Sequence, residues 1–92
     1  MITPDDASDL LAAQVATIDD ELDNAPAAAR RQELEASKTI LMNQLDTIDP
    51  VDLDSGARAV RAAADALQAV VQSGSTDPLA IILHQLREAG QA

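Results

Sequence analysis

Aliphatic side chains recur every three or four residues along four stretches of this chain, and a proline stands at the start of each. That spacing puts one apolar stripe on an α-helix, because 3.6 residues complete a turn. Proline suits a first helical turn, where its missing N–H has no partner to lose. Thr3-Pro4-Asp5-Asp6 reads as an N-cap, a proline and two acids set against the positive end of the helix dipole. Asp49-Pro50-Val51-Asp52 and Thr76-Asp77-Pro78 repeat the pattern, and Asn24-Ala25-Pro26 opens the remaining stretch less cleanly. Ser73-Gly74-Ser75 and Gly90 supply stop signals.

The expected helices cover residues 4–23, 26–48, 50–73 and 78–89. Their stripes are Leu11, Val15, Ile18 and Leu22; Leu34, Leu41, Leu45 and Ile48; Leu53, Ala57, Val60, Ala64, Leu67 and Val71; and Leu79, Ile82, Leu83 and Leu86. Asp54-Ser55-Gly56 leaves room for the third helix to start after an irregular turn. No segment alternates with period two over a strand's length, so a sheet is not expected. Linkers of two or three residues make neighbours antiparallel. The expected fold is an all-α, small up-down bundle in a single domain spanning 1–92, with three longer helices closed at one end by a short fourth.

Composition fits this class. Leu, Ile and Val make up 22 of 92 residues, above the range of disordered chains, and 19 alanines favour helix throughout. There is no Phe, Tyr, Trp or Cys. The chain therefore lacks the rings that anchor most binding hot spots and stack on bases, and it has no disulfide or thiolate chemistry. A small core without aromatics, metal or disulfides commonly gains burial by pairing with another chain, which makes a homodimer the first functional expectation. Five arginines to one lysine, beside the alanine excess, suit a GC-rich bacterial or phage genome. The longest apolar run is too short for a bilayer, and the amino terminus has no basic, apolar leader pattern, so a cytoplasmic protein off the membrane is expected.

Two surfaces stand out. Sixteen acids against six bases give a net charge of −10, and residues 1–24 hold seven acids and no base. At 100° per residue, Asp5, Asp9, Asp20 and Asp23 fall opposite the Leu11–Leu22 stripe, with Ala12, Ala13 and Ala16 between the acidic ends. This face serves solubility, docks a basic partner, or mimics a phosphate backbone. The second surface is Ala59, Ala62, Ala66 and Ala69, a row of small side chains that lets another helix approach closely. Arg30, Ser37 and Lys38 interrupt the stripe of the second helix, where the Arg and Lys stems cover apolar surface and the heads reach water or acids of the first helix.

Reactive constellations are not expected. His84 is the single histidine and sits on a helix flank, with no nucleophile-elbow serine pattern elsewhere. Asp52-Leu53-Asp54-Ser55-Gly56 has its glycine one place early for a calcium loop, and Ala63 stands where the bidentate glutamate belongs. It reads as capping and a polar turn. Arg58 and Arg61 share a face with Asp65, and the overall charge repels nucleic acid. No catalytic, cofactor or metal residue is assigned. The expected function is a non-catalytic protein–protein interaction module of the adaptor, chaperone, immunity or assembly-factor type, contacting another protein or itself through Ala59, Ala62, Ala66, Ala69, Asp9, Ala12, Ala16, Asp20 and Asp23. The alternative is an acidic, phage or mobile-element inhibitor that occupies a basic site on a nucleic-acid-processing protein.

Overall fold

The computed structural model describes residues 2–24, 27–71 and 79–91. They form four helices: α1 (Pro4–Asp23), α2 (Ala28–Thr47), α3 (Ser55–Val70) and α4 (Leu79–Gln91). No strand occurs among the described residues, and no described helix is long and apolar enough to cross a membrane.

Helix α1 forms as its sequence signature demands. The Thr3 hydroxyl accepts from the Asp6 N–H at 3.1 Å, Pro4 enters the first turn, and Asp5 and Asp6 meet the helix dipole. Its buried residues, Pro4, Ala7, Leu11, Gln14 and Ile18, keep a three–four rhythm. Helix α2 is less sharply two-sided. It buries only Leu34, Ser37 and Leu41, while Arg30, Lys38, Ile40 and Leu45 lie half-buried alongside. The Ser37 hydroxyl spends its bond on the Glu33 carbonyl at 2.8 Å, one turn back, so it enters the interior with no orphan donor. Lys38 reaches out to Asp19 of α1 at 2.7 Å.

Helix α3 packs on all three others, whereas α1 lies along α2 and α4 lies mainly on α3. A helix with neighbours on several sides needs a wide apolar arc. Here Ala57, Ala59, Val60, Ala63, Ala64 and Leu67 are all buried, and small residues on that arc keep the axes close. Gly56 shows how close. A Cβ there would lie 2.9 Å from the Thr3 carbonyl oxygen and 3.0 Å from both the Pro4 Cα and the Ala7 Cβ, so the starts of α1 and α3 touch backbone to backbone. Helix α4 runs antiparallel to α3, with Arg61 bonded to Gly90 and Gln68 to Arg87. One core joins Ala7, Leu11 and Ile18 to Leu34, Leu41, Val60, Leu67, Leu79, Ile82 and Leu86. The up-down bundle measures 41 × 23 × 15 Å.

Four expectations need correction. Helix α3 begins at Ser55 rather than residue 50, because Ile48–Asp54 is a closed turn of its own, and the linker is therefore longer than two or three residues. Val51, placed within the helix, and Leu53, placed in its stripe, project into solvent at 87% and 68% exposure. Helix α2 spans 28–47 and α3 stops at Val70, shorter than expected; Pro26, Ser73-Gly74-Ser75 and Thr76-Asp77-Pro78 lie outside the described residues. Helix α4 continues through Gly90, and it lies lengthwise on α3 instead of capping one end, since Leu79, Ile82 and Leu86 bury a stripe of nearly two turns.

Candidate interaction surface

The outward face of α1 carries Asp5, Asp9, Ala12, Ala13, Ala16, Asp20 and Asp23, all exposed. Among the described residues none of these aspartates forms an ion pair; the charge bond on this helix belongs to Asp19, on the flank facing α2. The alanines between the acidic ends leave the helix surface low, so another helix can approach there. On the inward side the sequence reading missed Gln14. It is buried between Leu11 and Ile18, and its amide donates to the Gln85 side-chain oxygen at 2.7 Å, tying α1 to α4. The signal was present, since residues 7, 11, 14 and 18 keep the helical interval.

The alanine row on α3 is shorter than expected. Ala59 is 1% exposed and belongs to the core, so it is unavailable to any partner. The reason is the breadth of the buried arc that three neighbours impose. Ala62 and Ala69 are exposed and Ala66 is half-buried, so a three-residue strip remains open.

Beside this strip a shallow groove of about 220 Å³ runs between α3 and α4, lined by Arg61, Ala64, Asp65, Leu86, Arg87 and Gly90. Gly90 shapes it: a Cβ there would sit 3.1 Å from the Arg61 Cγ. The missing side chain lets Arg61 fold across and donate its Nε–H to the Gly90 carbonyl at 3.0 Å. Arg87 donates to the Gln68 side-chain oxygen at 2.9 Å. Both arginines thus bond neutral oxygens, and neither forms an ion pair among the described residues.

The Ile48–Asp54 turn is the polar, self-capping element that its aspartates suggested. Asp49 accepts from the Val51 N–H at 2.9 Å, Asp52 from the Asp54 N–H at 3.0 Å, and the Ser55 hydroxyl donates to the carbonyls of Asp49 and Asp52. Arg58 bonds the second Asp52 oxygen. That guanidinium bond, then the Asp54 N–H, holds the Asp52 carboxyl below its ordinary value of 3.8. A depressed folded value adds stability above the unfolded value and loses it as pH falls through the folded one. Arg58→Gln is therefore expected to raise the Asp52 titration midpoint toward the ordinary value in carboxyl-carbon NMR, and to reduce stability at neutral pH but not in strong acid.

His84 is exposed and pairs with Glu88 one turn on, at 3.0 Å. It does not line the groove. Among the described residues, every buried side-chain nitrogen and oxygen has a partner, and no three histidine or carboxylate side chains gather where they could hold a metal. Comparison with protein-family models, with curated proteins and with solved structures finds no match for this chain.

Proposed function

We propose that the chain is a non-catalytic, cytoplasmic interaction module of bacterial or phage origin, of the adaptor, chaperone, immunity or assembly-factor type, acting through a helix face and pairing with a second copy of itself. The observation that carries this reading is the open strip Ala62, Ala66 and Ala69 beside the α3–α4 groove, on the helix that organises the whole bundle. Small side chains there admit a further helix without repacking the core. Large aliphatic groups left outside the core support it: Met42 and Ile81 are about half exposed, besides Val51 and Leu53. Ala62→Glu or Ala66→Glu is expected to return the protein to monomer by light scattering while helicity by circular dichroism is retained. Unchanged mass in both variants would remove the α3 strip from the interface.

A second reading rests on the unpaired aspartates of α1. An acidic helix can enter a cleft built for nucleic acid on a basic, nucleic-acid-processing protein. Neutralising Asp9, Asp20 and Asp23 together to asparagine is expected to leave the fold intact, since all three are exposed, and to weaken binding to such a partner. That binding falls steeply with added salt, whereas the apolar part of a contact through the alanine strip is nearly indifferent to it. A triple variant with unchanged binding would reduce the face to a solubility device.

A further inference from the structure

We propose that the α3–α4 groove receives the acidic face of α1 from a second copy of this chain, with Arg61 and Arg87 taking up carboxylates from Asp9 and Asp20. The proposal deepens the self-association reading and rests on it. Three observations point to this occupant. The groove joins two guanidiniums to an apolar floor of Ala64, Leu86 and Gly90; Asp65 on its wall offsets one charge and leaves a net positive rim. Among the described residues each guanidinium makes one bond to a neutral oxygen, in a fork geometry whose further N–H donors suit a carboxylate. At about 220 Å³ the groove is smaller than the roughly 300–1,000 Å³ of small-molecule sites, and it fits the ends of side chains borne by a helix.

The spacings agree. Asp9, Ala13, Ala16 and Asp20 fall within an arc of about 60° on α1, and the two aspartates are about 16 Å apart along its axis. On the receiving side, Arg61 stands seven residues, or about 10 Å, before Gln68, which holds Arg87 in place. The reach of two arginine side chains spans the difference. Ala62, Ala66 and Ala69 lie roughly 120° round α3 from that line, so the α1 face seats on the groove itself, with Ala13 and Ala16 over its apolar floor and the two aspartates towards the arginines. Each copy carries both surfaces, so a two-fold axis satisfies two grooves at once.

Sedimentation equilibrium of the full chain tests this by charge exchange. Arg61→Glu/Arg87→Glu and Asp9→Lys/Asp20→Lys are each expected to weaken self-association on the order of 100-fold. Mixed in equal amounts they should restore a heterodimer to within about 10-fold of the wild type, because every reversed contact again joins opposite charges. Arg87→Glu alone serves where Arg61→Glu disturbs the bond to Gly90. Glu35→Lys/Asp46→Lys, the same charge change on exposed positions of α2, should not abolish pairing. Groove and α1 variants that both self-associate as strongly as the wild type, or a mixture that stays monomeric, overturn the groove assignment and leave the interaction module standing. A wild type that stays monomeric at every concentration overturns self-association itself.

Discussion

Leu67→Ala is expected to remove about 2–5 kcal/mol of stability, the range for truncating a leucine with no room for collapse around it. Leu67 is fully buried in the cluster that joins all four helices, on the helix that contacts each of the others. Its neighbours on α3 include Ala63 and Ala64, which have no side-chain length with which to fill the void. A chain of 92 residues has a total stability of roughly 5–14 kcal/mol at the usual 0.05–0.15 per residue, so this one change consumes a large share of it. Urea denaturation followed by circular dichroism measures the loss as a fall in midpoint. Leu53→Ala, the same truncation at a residue 68% exposed, is the internal comparison and should cost less than about 0.5 kcal/mol. Equal costs at the two sites would mean that Leu53 is buried and that the start assigned to α3 is wrong.

Gly56→Val is expected to cost about 3 kcal/mol, the upper part of the range for overpacking. The atoms a Cβ would meet at 2.9–3.0 Å are the Thr3 carbonyl, the Pro4 Cα and the Ala7 Cβ, backbone or its immediate attachments, with no flexible tip to swing aside. Relief requires the first turn of α1 to move away from α3. That movement also loosens the Thr3 cap, so hydrogen exchange should quicken first at the amides of Asp6 and Ala7. Gly56→Ala gains up to about 1 kcal/mol of helix propensity, yet its Cβ meets the same atoms, so it should still destabilise. A neutral or stabilised Gly56→Ala protein would show that the two helix starts stand further apart.

Local chemistry was the legible part of this chain. Thr3-Pro4-Asp5-Asp6 defines the start of α1 to the residue, since a hydroxyl cap, a proline and two acids all act within one turn. The same logic misled at Asp49-Pro50, where the pattern looks like a second cap. The carboxylates of Asp49 and Asp52 and the hydroxyl of Ser55 bond their own backbone instead, and they close a turn before the helix can begin. That competition between cap and turn turns on which N–H each oxygen finds, which residue types alone do not decide. Alanine was the other blind spot. It favours a helix equally well in water and in a tight helix contact, so the burial of Ala59 and the exposure of Ala62 look identical in sequence. Only the packing of three neighbours around α3 separates them, and the placement of α4 among those neighbours also creates the groove from Arg61 and Arg87, 26 residues apart in the chain.

The most direct test of a self-pairing contact module is a dilution series of amide NMR spectra of the full chain. Pairing through these helix faces predicts concentration-dependent shifts that cluster at Ala12, Ala13 and Ala16 of α1 and at Ala62, Ala66 and Ala69 of α3, with buried Ala59 and Ala63 little changed. Spectra that do not move with concentration, or shifts confined to Val51 and Leu53 in the turn, would contradict it.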